Sequence, residues 1–314
     1  MTDRVLFLVN DLASFKPVQS TWQLARQTAA LGMQVGVAGV RDLCVEPSGA
    51  VTANAVTMRS SGLGSRMRFG MDGARIWTRL NPGRATAQRD VQVALEALAL
   101  AEDSSARVLN RPISLWRSGS KLSLMGLPAA ARPESFVAVD PVAAQRWARG
   151  RDGVVVGKPL LGTQGRGVVC FDPRASMPAD LTDATGGVVL QEWIERAHEG
   201  DVRVHMVDGH VLEVGGRRAM VRRIPPPGDF RSNVALGGSA VRAEWTAELA
   251  HVCDLVGPAL RRMGLWHVGL DVVGGRVVEI NTFSPGGLTD AGRFEGVDFA
   301  DSLIRSFLAQ TSTA

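Results

Sequence analysis

Apolar and polar positions along this chain change style about halfway. The run "RVLFLVND", residues 4 to 11, is apolar and ends in polar residues, and a helical pattern follows around Trp22, Leu24, Ala25 and Ala29. "LGMQVGVAGV" (31 to 40) then reads as a turn and a second strand. Strand, helix and strand at this spacing predict a parallel α/β unit. The Gly- and Ser-rich stretch 60 to 73 reads as a loop, "ARIWTRLNPG" (74 to 83) as a strand running into a Pro-Gly turn, and 85 to 101 as an Ala/Leu-rich helix. A first domain is expected to end near residue 115.

In the next segment "GSKLSLMGLPAA" starts on a helix, "SFVAVDP" is a strand stopped by proline, and "AAQRWARG" is helical. "GVVVGKPLLGTQGRGVVCFD" reads as strand, glycine-rich loop and strand, and "GGVVLQEWIE" as a strand entering a hinge. Hairpin signals dominate after that. Asp208-Gly209 turns "VRVHMVDGHVLEVGGRR", Gly274-Gly275 turns "HVGLDVVGGRVVEI", and residues 246 to 263 form an amphipathic helix between them. Alternation early and hairpins late predict α/β followed by α+β.

Composition narrows the class. The 314 residues are 45% hydrophobic, enough for two or three domain-sized units. The three cysteines, Cys44, Cys170 and Cys253, lie far apart, which points to a reducing compartment rather than a disulfide or zinc framework. No signal-peptide pattern or long apolar run is present, so a soluble cytoplasmic protein is expected. Net charge is +4 without basic blocks, which argues against nucleic acid and membrane partners and for small anionic ones. Only three of the 35 basic residues are lysines: Lys16, Lys121 and Lys158. A chain that otherwise uses arginine makes each lysine a candidate for a task that a compact ammonium does better. With no tyrosine, no mechanism can use a phenol.

Four stretches carry chemistry. In "VVEINTFSPGG" (277 to 287), Glu279 and Asn281 sit two apart on a strand and share a face. Counting back from the Gly274-Gly275 turn puts Asp271 near Val278 or Glu279 across the hairpin. Two acids and an amide on a Val/Ile/Leu hairpin suit Mg²⁺, a hard cation that keeps positions open for phosphate oxygens. In "GKPLLGTQGRGV" (157 to 168), a strand-borne Lys158 precedes Gly162, Gly165 and Gly167, a flap able to cover phosphates with its N–H groups. It is not a Walker loop, and a plain glycine-rich hairpin is the competing reading. In "QEWIERAHEGDVRV", Glu199 or Asp201 could hold a ribose, and Gln191 to Ile194 could face an adenine. Five arginines in fifteen residues around a Pro-Pro-Pro-Gly loop (217 to 231) could stabilise charge on a transferring phosphoryl group. The histidines at 198, 205, 210, 251 and 267 lack metal spacing and read as structural.

Together, "KPLLGTQGRGVV", "VLQEWIERAHEGDVRV", "RRIPPPGDFRSNVALGG" and "GLWHVGLDVVGGRVVEINTFSPGG" resemble the ATP-grasp carboxylate–amine ligases, between bacterial glutathione synthetase and the glutamate ligases of ribosomal-protein C-termini. The resemblance is dense from about 115 to 300. It implies a preATP-grasp α/β domain over 1–115, an ATP-grasp subdomain with a glycine-rich flap over 116–190, and a second subdomain with a metal-binding hairpin over 191–314. By position it assigns ATP binding to Lys121, Lys158, Gly162, Gln164, Gly165, Gly167, the segment Gln191, Glu192, Trp193 and Ile194, and the acids Glu199 and Asp201. Asp271, Glu279 and Asn281 become ligands for Mg²⁺, or Mn²⁺. Arg203, Arg231 and one further arginine become the anion-stabilising set. Turn counting selects Arg218 for that last place and the "R-I-P" context selects Arg223, so both are carried. Arg79, Ser284, Gly286 and Gly287 fall on the substrate side, although Asn81 stands where glutathione synthetases usually carry aspartate.

The implied reaction is ATP-dependent ligation. A small-molecule carboxylate becomes an acyl-phosphate, and a small-molecule amine displaces phosphate. Addition of an amino acid to a peptide or other amine in a specialised pathway, or ATP binding for regulation without ligation, are the alternatives. A homo-oligomer is expected by analogy with related enzymes.

Overall fold

The computed structural model describes residues 3–82, 88–162, 165–182, 186–232 and 237–310. Its first sheet is built from β1 (Arg4–Val9), β2 (Gln34–Gly39), β3 (Leu43–Val45), β4 (Val51–Arg59), β5 (Gly62–Gly70), β6 (Arg75–Thr78) and β7 (Arg107–Leu109), with α1 (Ser20–Ala30) and α2 (Gln88–Ser104) as crossovers. The strand order is β3-β4-β2-β1-β6-β7, with β5 added on β4. β1 lies between β2 and β6 and runs parallel to both. Five of its six residues are buried, as expected of an apolar strand covered on both faces.

Residues 60 to 73 are not the loop expected. β5 pairs antiparallel with β4 along most of its length. Most of β5 is exposed and it sits at the sheet margin, so its Gly, Ser and Arg residues carry no apolar alternation for sequence reading to find. β4, equally unexpected from the sequence, supplies the register.

α3 (Pro112–Arg117) and a 3₁₀ turn (Lys121–Gly126) lead into the second sheet. This consists of β8 (Ser135–Ala138), β9 (Val155–Pro159), β10 (Val169–Phe171) and β11 (Val188–Glu192), in the order β10-β9-β11-β8 and antiparallel throughout. α4 (Pro141–Arg149) starts where Asp140 accepts hydrogen bonds from the Val142 and Ala143 amides, with Pro141 in the first turn. α5 (Ala179–Thr182) closes the other side of this small core.

The third sheet contains β12 (Asp201–Val207) and β13 (His210–Val211). After the short hairpin β14 (Glu213–Val214) and β15 (Arg217–Arg218) come β16 (Met220–Ile224), β17 (Ser239–Val241), β18 (His267–Val273) and β19 (Arg276–Asn281). The order is β17-β16-β12-β18-β19. Both expected turns form. Asp208 and Gly209 have φ of 49° and 75°, and Gly274 and Gly275 have 49° and 69°, the left-handed pair that a tight two-residue hairpin requires. α6 (Ala247–Arg262) covers one face of the sheet.

α7 (Leu288–Glu295) and α8 (Phe299–Leu308) follow. α8 returns to the first sheet, where Phe307 stacks on Trp77 at 4.6 Å. Buried Asn110, just after β7, ties the first sheet to the third. Its Oδ1 accepts from the Trp266 and His267 amides, and its Nδ2 donates to the His267 and Thr282 carbonyls, all within 2.9 Å. Among the described residues no helix is long and apolar enough to cross a membrane.

Candidate active site

One face of the third sheet carries the chemistry. Side chains alternate along a strand, and Val202, Val204 and Met206 of β12, with Val268, Leu270 and Val272 of β18, pack in a core with α6. Asp201, Arg203, His205, His267 and Asp271 therefore occupy the opposite face. Register then sets Asp201 opposite Arg223, Arg203 opposite Asp271, and Asp271 opposite Glu279. The last pairing depends on an irregularity. Val272 pairs with Val277, so Val278 is left over as a bulge. With regular pairing Asp271 would oppose Val278, and Glu279 and Asn281 would turn into the core under α6.

Two aspartates and two arginines form a buried, charge-balanced cluster on this face. Arg223 donates to both Asp201 oxygens at 2.7 and 2.9 Å, and its Nη2 lies 2.7 Å from Asp271 Oδ2. Arg203 grips Asp271 in a fork at 2.8 Å on each side. The Ser232 hydroxyl donates to Asp201 at 2.9 Å. Burial alone would push the Asp271 carboxyl up, but the two guanidiniums outweigh it and hold the group well below the usual carboxylate range. Asp201 goes the other way: burial and the neighbouring Asp271 charge raise it, and Arg223 only partly compensates.

Two cavities meet at this cluster. One, of about 110 Å³, lies between the second and third sheets, with Val156, Val168, Trp193, Ile194 and Phe230 as its apolar walls and Lys158, Asp201 and Asp271 among its charged ones. The other, of about 420 Å³, reaches towards α1 and the ends of β1 and β6, and Asn10, Ser20, Thr21, Arg79 and Asn81 line it. Lys121, Arg223, Val278 and Glu279 border both. Glu279 makes no hydrogen bond or ion pair among the described residues, while Asn281 Nδ2 donates to the Gly269 carbonyl at 3.3 Å.

The lysines converge here from different elements. Lys158 of β9 donates to the Val278 carbonyl at 3.3 Å, and Lys121 of the 3₁₀ turn to the Gly162 carbonyl at 2.8 Å. Burial pulls the Lys158 ammonium down to about 8, and Glu279 opposes that pull. Lys121 is lowered by burial in the same way, again against Glu279. The flap glycines have left-handed backbone. At Gly167 a side chain is doubly excluded, by its φ of 67° and by Pro159 Cγ, 2.7 Å from where a Cβ would sit. Arg231 is held by Asp229 and reaches the Gly165 carbonyl at 3.5 Å.

Other residues singled out from sequence fall at varied distances from this centre. Gln191 is buried and donates to Ser135 Oγ, and Glu192 accepts from the Glu134 amide. Ser284 lines the larger cavity. Gly286 and Gly287 do not border it, and Gly287, with φ 97°, starts α7 instead. Arg79 is 4% exposed, donates to Thr21, Ser20 and the Pro285 carbonyl, and meets no acid among the described residues. Burial lowers its guanidinium to about 10. Glu199 lies outside the cluster, half-buried and bound to Arg196. Arg218 does too, because β15 belongs to a separate hairpin where it pairs with Glu213 and covers Trp245 at 4.7 Å. Gln164 falls outside the described residues. Phe230 is a site residue that sequence reasoning missed. It packs edge-on against Trp193 at 5.6 Å, and an aromatic between two charged residues of a polar loop is the signal that could have found it.

Comparison with known proteins gives this geometry its family. The domain described as "Prokaryotic glutathione synthetase, ATP-grasp domain" matches residues 120–296. The glutathione synthetase of Prochlorococcus marinus (strain MIT 9313) is 35% identical over 242 residues, covering 76% of this chain and 75% of that one. Among solved structures, the D-cycloserine synthetase DcsG superposes with a TM-score of 0.67 at 18% identity, over 96% of this chain and 99% of the other. A RimK domain ATP-grasp protein from Sphaerobacter thermophilus superposes with a TM-score of 0.61 at 21% identity, over 98% and 100%. These two likenesses establish the ATP-grasp fold, and the family implies use of ATP and a divalent metal. The chain belongs to the glutathione synthetase family of ATP-grasp enzymes and is an ATP-dependent carboxylate–amine ligase.

Proposed function

We propose that the chain activates a small-molecule carboxylate as an acyl-phosphate and transfers the acyl group to a small-molecule amine, with Mg²⁺ as its metal and Mn²⁺ as a substitute. The shared wall carries this reading. Lys121, Arg223 and Glu279 border both cavities, so a triphosphate in the smaller one ends where a carboxylate in the larger one begins. The division into 1–115, 116–190 and 191–314 accompanies the reading, each part supplying one wall.

In this scheme Trp193, Ile194 and Phe230 enclose the base, and Lys158 and Lys121 meet the phosphates. The donor set suits a hard cation: Glu279 is unengaged, Asn281 offers its amide oxygen, and Asp271 joins from the opposite strand. Once bound, the metal neutralises phosphate oxygens. A carboxylate oxygen attacks the terminal phosphorus and the bond to ADP breaks. The amine nitrogen then attacks the carbonyl carbon, the bond to phosphate breaks, and the amine loses a proton. Arg203, Arg223 and Arg231 balance the negative charge that builds up, while Arg79 orients the carboxylate substrate. The test is ADP release with MgATP and a panel of carboxylates, using hydroxylamine as a generic amine. Hydroxamate formed with a particular carboxylate supports ligation. ADP release that needs no carboxylate would remove it.

Two further outcomes are expected. Lys158 can hold an anion only while protonated, so ATP affinity should fall as pH rises through about 8, and calorimetry between pH 7 and 9.5 measures this. A flat profile would remove Lys158 as a phosphate contact. Phe230→Ala should weaken ATP about fivefold, the scale of one aromatic contact. It should leave inorganic tripolyphosphate binding unchanged, because that ligand has no base to enclose.

A further inference from the structure

A third cavity, of about 300 Å³, opens beside the substrate cavity against α2 and α3. Its wall is apolar: Val91 and Leu95 of α2, Leu115 and Trp116 of α3, with Leu161 and Phe283. It shares Pro82, Gly119, Ser120, Gly162 and Phe283 with the substrate cavity, next to Lys121, so it is a side arm of that cavity and adjoins its reacting end. Val91, Leu95, Leu115 and Phe283 belong to the buried core of the first sheet, which gives the arm a fixed floor. Its rim is less covered. Trp116 is 53% exposed and Leu161 37% exposed. Apolar surface held open in a concavity continuous with a reacting centre is what an apolar ligand group would cover.

The charges sort the two substrates between the two arms. The arm towards α1 holds Arg79, a buried cation that meets no acid among the described residues, beside Ser20, Thr21 and Asn81, while the exposed Asp11 on the same lining is engaged by Ser14. That arm suits a substrate with a further anionic group. No charged side chain is among the described residues of the arm under α2 and α3, so among them a charged group would find no partner to replace its lost hydration. We propose that this apolar arm receives the side chain of the amine substrate, which is then an amino acid or short peptide with a leucine-, methionine- or phenylalanine-like side chain rather than glycine. The assignment to the amine rests on the ligase reading above; the apolar preference rests on the arm itself.

The test is binding, read by saturation-transfer NMR on the full chain loaded with magnesium and a non-hydrolysable ATP analogue. L-Leucine and L-phenylalanine should bind at least about tenfold tighter than glycine, the scale of burying one such side chain. Trp116→Ser, which removes part of the rim, should bring leucine down to the level of glycine with nucleotide binding unchanged. Gln92→Phe, which fills the arm from an exposed position of α2, should do the same and serves if the first variant folds poorly. Leucine binding no tighter than glycine would overturn the proposal, as would variants that weaken leucine and nucleotide alike. The hydroxylamine assay separates the two readings: ADP release that needs no carboxylate removes ligation, whereas the leucine-to-glycine ratio judges the arm.

Discussion

Replacing Glu279 by glutamine is expected to lower the rate of ADP release by about a hundredfold or more, the scale of removing a charged group from a reacting centre. Among the described residues no arginine holds Glu279, whereas Asp271 is shared between Arg203 and Arg223. The isosteric amide keeps the side chain's shape and removes the charge that makes it a strong ligand for a hard cation. A second effect acts in the same direction. Glu279 opposes the burial that lowers Lys158 and Lys121, so without it both ammonium groups lose protons more easily and phosphate binding weakens. The variant should therefore need more Mg²⁺ to reach its maximal rate, and its pH profile should move to the acid side. ADP release measured against Mg²⁺ concentration at several pH values reads both changes. Unchanged turnover would remove Glu279 from the metal site.

The second large effect separates the two candidate arginines. Arg223→Ala should destabilise the protein by about 3–5 kcal/mol, the cost of breaking a buried ion pair by removing one partner. Arg223 is 7% exposed and serves Asp201 and Asp271 together, so its loss leaves Asp201, among the described residues, with the Ser232 hydroxyl and the charge of Arg203. The sign of the pH dependence follows from Asp201. Its carboxyl is already raised by burial and by Asp271, and loss of Arg223 raises it further. A carboxyl raised in the folded state costs stability that grows as pH climbs from its unfolded value to its folded one, and costs little below the unfolded value. The deficit of the variant should therefore narrow as pH is lowered towards the carboxylate range. Turnover should fall with it, because Arg223 also borders both cavities. Arg218→Ala should cost less than about 1 kcal/mol, as a partly exposed pair does, and leave turnover nearly intact. Denaturant midpoints and ADP release on the two variants decide between them, and the reverse pattern would place Arg218 at the centre.

Local chemistry makes much of this molecule legible in its amino-acid sequence. Turn residues, strand alternation and helix spacing act over a few positions, so the Asp208-Gly209 and Gly274-Gly275 hairpins, β1, β9 and α6 can be read from the letters. The same holds for Glu279 and Asn281 sharing a face, which follows from a two-residue period. Scarcity helps as well: in a chain of arginines, Lys121 and Lys158 stand out, and both point into one site. Other features have no local cause. β5 is exposed on its edge, so its residues are free to be Gly, Ser and Arg, and only pairing with β4 makes it a strand. α8 follows the third sheet in sequence yet packs on the first, because the apolar side chains it must bury find Phe7 and Trp77 there.

At the centre itself the division is finer. Sequence determined which residue types were present, two acids and an amide on a hairpin with arginines nearby, and therefore the chemistry available. Tertiary structure decided their partners. The bulge at Val278, not the turn, sets Asp271 opposite Glu279. Register across β12, β16 and β18, not the spacing of arginines in the chain, brings Arg203 and Arg223 to Asp271 and leaves Arg218 on another hairpin. Pairing depends on which strands become neighbours, a choice made by burial over the whole domain, and no window of a few residues contains it.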